Sequence, residues 1–135
     1  VEDEETTLRA YLAIQEARFG ERLSCELQID EAARERPIPG FVLQLLVENA
    51  IKHGLRSSVD RLDVLVRVEA LADGLRITVR NTGRLVEGSS PTGVGLHNLQ
   101  RRLAIDYPGR HSFQLLQDGN AVRADLHLEG APCHA

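Results

Sequence analysis

Tryptophan and methionine are absent from the 135-residue chain, and aromatic residues make up only 4% of it. With Val1 as its first residue, such a chain is expected to be a segment of a longer protein rather than a complete gene product. An excess of positive charge is missing too. Sixteen Lys and Arg stand against 20 Asp and Glu, a formal net charge of -4, which removes the electrostatic footprint of a general nucleic-acid binder. No apolar run approaches the roughly 20 residues that cross a bilayer, and no basic start precedes an apolar stretch. The segment is therefore expected neither to span a membrane nor to direct export. Cysteine is confined to Cys25 and Cys133, too few for a disulfide framework or a structural zinc cluster, which favours a reducing cytoplasm. The 42% of hydrophobic residues suffice for one core, so residues 1–135 are expected to form a single domain.

The apolar pattern predicts three helices and five strands. Leu8, Tyr11, Leu12 and Phe19 recur at helical spacing over 3–19, behind the acidic start Glu2, Asp3, Glu4 and Glu5 that complements a helix dipole. Leu23, Cys25, Leu27 and Ile29 alternate as a strand that ends in a charged loop over 30–36. Pro39 suits the first turn of a second helix, in which Val42, Leu45, Leu46, Ala50 and Ile51 repeat to about His53, with Gly54 as its C-terminal cap. Leu62, Val64, Val66 and Val68 then face Leu75, Ile77 and Val79 across an Asp73-Gly74 turn. The stretch 81–92 is rich in turn residues and is expected to be a mobile loop. Leu96, Leu99 and Leu103 mark a third helix stopped by Pro108-Gly109, and a last hairpin turns at Asp118-Gly119-Asn120. Five largely antiparallel strands with three amphipathic helices on one face make a two-layer α/β sandwich.

Three places along this plan carry polar chemistry. Asn49, Lys52 and His53 are three and four positions apart and share one face of the second helix. An amide oxygen ligates Mg²⁺ and an ammonium meets phosphate oxygens, so that face suits a metal-bound triphosphate. The same spacing also suits a solvated face whose cations offset the helix dipole. Asn81-Thr82-Gly83 closes a strand with an amide able to donate and accept, followed by a glycine open to close approach, yet it is equally a good turn. Gly93-Val94-Gly95 places glycines at a helix N-terminus, where unpaired N–H groups favour an anion. It matches neither a P-loop nor a dinucleotide fingerprint.

Taken in order, Tyr11–Gly20, the run Leu43-Gln44-Leu45-Leu46-Val47-Glu48-Asn49-Ala50-Ile51-Lys52-His53-Gly54, and Gly93–Leu103 resemble the ATP-binding domain of LytS-type sensor histidine kinases. The resemblance covers nearly the whole chain and implies the Bergerat-type fold of the wider GHKL superfamily. It also implies ATP and Mg²⁺ as ligands. By position, Asn49 matches the N-box asparagine that holds Mg²⁺, and Lys52 and His53 match N-box positions facing phosphates. Asn81 and Gly83 fall on the G1 box that reads adenine. Gly93, Gly95 and Leu96 fall on the G2 box around the phosphates, with Asn98 just inside its helix. The loop 81–92 becomes the ATP lid.

Two positions depart from the family pattern: Asn81 replaces the usual aspartate, and Leu85 stands where a second G1 glycine is common. Leu45 occupies the position of the general-base glutamate of hydrolytic relatives, while Glu48 is rotated about 100° away from Asn49, so rapid ATP hydrolysis is not expected. The resemblance implies γ-phosphate donation to a histidine on a separate upstream dimerisation domain, a downstream response regulator, and a homodimeric intact kinase. It further implies a cytoplasmic domain of an inner-membrane-anchored sensor. None of the five histidines lies in an acceptor motif, so the segment alone is not expected to phosphorylate itself. The rival reading is a degenerate GHKL module that acts as a non-catalytic interaction domain. An anti-sigma-type serine kinase shares the fold but fits the Tyr11–Gly20 block less well.

Overall fold

The computed structural model describes residues 1–56, 60–83 and 94–133. Four helices, α1 (Glu2–Phe19), α2 (Glu31–Arg34), α3 (Phe41–Arg56) and α4 (Val94–Asp106), accompany five strands. The strands are β1 (Leu23–Ile29), β2 (Leu62–Ala70), β3 (Gly74–Thr82), β4 (His111–Asp118) and β5 (Ala121–Glu129), joined in the order β1-β2-β3-β5-β4. β1 runs parallel to β2 and every other pairing is antiparallel, so the sheet is mixed as expected.

The alternation of the strands decides which face is covered. Val64, Val66 and Val68 of β2, Ile77 and Val79 of β3, and Leu126 and Leu128 of β5 are all buried. They pack beneath Leu8 and Leu12 of α1, Leu43, Leu46 and Val47 of α3, and Leu99 and Leu103 of α4 in one aliphatic cluster. Burying a side chain of this kind contributes about 1.5–3 kcal/mol relative to exposure, which explains how a chain without Trp or Met sustains a core. Only Tyr107, just past α4, brings a fully buried aromatic ring into it. The opposite face of the sheet carries Arg67, Thr78, Arg80, Arg123 and Asp125. Among the described residues, no helix is long and apolar enough to cross a membrane.

Four local expectations are corrected or extended. The charged loop over 30–36 contains the one-turn helix α2, too short to show a period, and the buried carboxylate of Glu5 on α1 grips it through Arg34 at 2.9 Å. Arg34, then Arg9, holds the Glu5 carboxyl below its usual range against the opposing effect of burial. The second helix begins at Phe41, with Pro39 accepting a turn bond from the Val42 N–H at 3.1 Å, and it runs past Gly54 to Arg56. Gly54 is therefore not a cap: a Cβ there would lie 2.3 Å from the Leu62 side chain, so the glycine lets α3 approach β2. Gly74 closes the expected turn by accepting from the Leu71 N–H at 2.9 Å, but it is also the first residue of β3, where the carbonyl of Leu128 on β5 leaves no room for a side chain. Finally, Asn81 and Thr82 belong to β3 rather than to the loop, while Leu85 lies outside the described residues.

The cysteines differ sharply in environment. Cys25 on β1 is half-buried, and desolvation, aided by the nearby Glu16 carboxylate, pushes its thiol up to about 11. Cys133 is exposed. Since the thiolate is the reactive form, alkylation at pH 8 should modify Cys133 in the native protein and Cys25 only after unfolding, a difference that mass spectrometry of labelled peptides would read.

Candidate nucleotide-binding site

α3 packs on β2 and β3 and against α1 and α4, which puts its polar face on the helix side of the sheet. Asn49 and His53 are half-buried there and Lys52 is exposed, while Leu45, one turn before Asn49, packs against the core. Glu48 is engaged elsewhere. Its carboxylate accepts a bond from Gln44 Nε2 at 2.9 Å, and it lies close enough to Tyr11 of α1 to add to the upward shift that burial imposes on that phenol. The only carboxylate next to Asn49 in sequence therefore faces the α1 side, and the helix presents an amide, an ammonium and an imidazole there rather than a carboxylate.

Asn81 sits at the end of the central strand β3, opposite Val64 of β2 and Val122 of β5, and is only 4% exposed. Its Nδ2 donates to the Thr82 carbonyl at 3.0 Å, which leaves Oδ1 as the atom able to accept from a ligand. The bond depends on the amide. A carboxylate at 81 has no hydrogen to offer Thr82 and would set two acceptors against each other. Asn81→Asp is accordingly expected to destabilise the fold by about 1–3 kcal/mol at neutral pH. The sign follows from that repulsion: the folded-state pKa of the new carboxyl is raised, so stability is recovered as the pH falls through that raised value, which urea titrations at two pH values would show.

The turn after Asn81 is held by side chains and carbonyls whose pairing the sequence pattern does not reveal. Gly83 has φ 129, a conformation that disfavours side chains, and is buried. Its N–H donates to Asn120 O at 2.9 Å, and its carbonyl accepts from Gln117 Nε2 at 3.0 Å. Gln117 Nε2 also reaches Gly119 O and Ala121 O, each at 3.0 Å, which links the Gly83 turn to the β4–β5 hairpin. The Thr82 hydroxyl accepts from the Asp63 N–H at 3.0 Å and is 3.3 Å from Arg61 O. The bonds that reach Gly83 and Thr82 join distant parts of the chain, and of their partners the sequence pattern marks only Asn120, in the Asp118-Gly119-Asn120 turn.

Gly95 and Leu96 fall in the first turn of α4 and Asn98 is exposed one turn later, while Gly93 lies outside the described residues. α4 is anchored beside α3 by the fully buried Leu99 and Leu103. Arg102 adds a second tie, with its guanidinium 5.7 Å from the Phe41 ring centre and its Nε 3.0 Å from Asp106 Oδ2. The fold therefore assembles the α3 face, the β3 end and α4 on one side of the sheet. That collection has the right chemistry for a triphosphate: an oxygen donor for a hard cation, an ammonium, and the open N–H groups of a helix start.

A scan against protein-family models finds no match. The sensor protein LytS of Enterococcus faecalis (strain ATCC 700802 / V583) is 32% identical over 142 residues, covering 96% of this chain and 24% of LytS. The LytS of Staphylococcus haemolyticus (strain JCSC1435) is 38% identical over 111 residues, covering 71% of this chain and 19% of that protein. The chain thus spans about a quarter or less of the length of the curated relatives it matches. Among solved structures, the catalytic domain of histidine kinase ThkA shares the fold with a TM-score of 0.69 at 13% identity, covering 98% of this chain and 95% of that one. ThkA has also been solved in complex with the response regulator protein TrrA, where the TM-score is 0.64 at 10% identity over 97% of this chain and 41% of that one. By sequence the chain belongs to the LytS-type sensor histidine kinases, and its fold is the one seen in histidine kinase catalytic domains.

Proposed function

We propose that the domain binds Mg–ATP on the helix side of its sheet and donates the γ-phosphate to a histidine on a separate dimerisation domain. The observation that carries this reading is the Asn81 amide, buried at the end of β3 with one N–H bonded to the Thr82 carbonyl, an orientation that leaves Oδ1 to accept from an adenine amino group. Asn49 supplies the hard oxygen that Mg²⁺ selects, and the bound ion neutralises triphosphate charge. Lys52, with His53 beside it, adds positive charge at the phosphates, and the α4 start at Gly95 and Leu96 offers backbone N–H groups, completed by Gly93. Asn98 lines the same helix. Catalysis of this kind consists of positioning and charge stabilisation, and it needs no general base.

The acceptor comes from outside these 135 residues. His53, His97, His111 and His127 belong to the helices and strands of the domain itself. In the intact protein the reading calls for a homodimer, a membrane-anchored sensor with this domain on its cytoplasmic side, and a response regulator that receives the phosphoryl group, as the ThkA–TrrA complex suggests.

The experiment is phosphoryl transfer from γ-labelled ATP. The isolated domain should remain unlabelled and release almost no free phosphate. Joined to a dimerisation domain that bears an acceptor histidine, it should label that histidine in the presence of Mg²⁺. A folded, correctly joined protein that transfers nothing would instead support the non-catalytic interaction module.

A further inference from the structure

The end of the sheet remote from Asn81 gathers a donor set that nucleotide binding does not use. Asp73 in the β2–β3 turn and His127 and Glu129 on β5 each offer one ligand atom, and these atoms lie within 4.8 Å of one another. Three observations separate this group from an ordinary acidic surface. The Nε2 atom of His127 is shielded from solvent and has no hydrogen-bond partner among the described residues. Among the described residues, neither Asp73 nor Glu129 takes part in an ion pair, so no direct contact with a cation neutralises the two neighbouring carboxylates. The backbone that carries them is fixed: Gly130 N–H donates to Asp73 O at 2.6 Å, Glu129 N–H donates to Arg110 O at 2.8 Å, and Gly74 pairs with Glu129 across β3 and β5.

We propose that Asp73, His127 and Glu129 form a binding site for a divalent transition-metal ion of the zinc class. One imidazole with two carboxylates favours such an ion over Mg²⁺ or Ca²⁺, which select oxygen-only shells. Ligand atoms around tetrahedral zinc stand roughly 3.4 Å apart, so the observed spread closes by rotation of two exposed carboxylates while the strands stay in place. Bound metal ties the β2–β3 turn to the end of β5 and relieves the carboxylate repulsion. Arg76, opposite His127 in register, is the cation that faces the site from β3, and Arg110 is occupied by the carbonyls of Glu129 and Ala131.

The test is calorimetric titration of chelator-stripped protein with Zn²⁺, paired with thermal unfolding, in a Cys133→Ser background that removes the exposed thiol. One ion per chain is expected, with a higher unfolding midpoint and at least about tenfold weaker binding in both His127→Ala and Glu129→Gln. Because Glu129 is exposed, its variant keeps the test decisive even if His127→Ala folds poorly. Binding of a non-hydrolysable ATP analogue should be unchanged by Glu129→Gln. Absence of zinc binding, or zinc binding that both variants leave intact, overturns the proposal.

Discussion

Gly74→Ala is expected to lower the thermal midpoint by roughly 10–15 °C. A Cβ at this position would lie 1.8 Å from the carbonyl oxygen of Leu128 and 2.9 Å from its carbonyl carbon. Those are backbone atoms of β5 in a continuous ladder with β3, so relief requires the two strands to separate and costs about 3 kcal/mol or more. A domain of this size has only about 5–15 kcal/mol in all. Gly54→Ala provides the comparison. Its Cβ meets the Leu62 side chain at 2.3 Å, and a side chain can rotate where a carbonyl cannot. Helix propensity also returns up to about 1 kcal/mol, so a net loss of about 1–2 kcal/mol is expected. Equal losses at the two glycines in denaturant titrations would contradict this distinction.

The second large effect belongs to Asn49→Ala. If Asn49 holds the magnesium, the variant should lose the magnesium-dependent part of nucleotide affinity, about tenfold to hundredfold, the range lost even when supporting groups of a metal site are removed. Half-burial on the polar face of α3 makes the truncation structurally mild, so the unfolding midpoint should move little. In chelator the two proteins should bind the analogue alike. Equal loss with and without magnesium would assign Asn49 a packing or base-contacting role instead. Lys52→Ala should weaken binding through charge, and high salt should reduce the difference because the side chain is exposed.

Where period and burial coincide, the sequence was a sufficient guide. The alternation Leu62, Val64, Val66, Val68 predicted both the strand and its buried face, and Leu99 and Leu103 marked the inner stripe of α4. The run 43–54 predicted the helix that carries Asn49, Lys52 and His53. What stayed hidden depends on contacts distant in the chain. Gly54 and Gly74 read as no more than punctuation because glycine is common at caps and turns, whereas Leu62 and Leu128 crowd the two positions here. Gln117 and Asn120 hold Gly83 across more than 30 residues, and no local pattern announces that. Asn81 differs in kind: its bond runs to the adjacent Thr82, and only the side-chain geometry reveals it.

The most direct test of the account is calorimetric titration of this domain with a non-hydrolysable ATP analogue, with and without Mg²⁺. The account predicts saturable binding of one nucleotide per chain that magnesium strengthens and that raises the unfolding midpoint. A folded sample giving neither heat nor thermal stabilisation at millimolar nucleotide would contradict it.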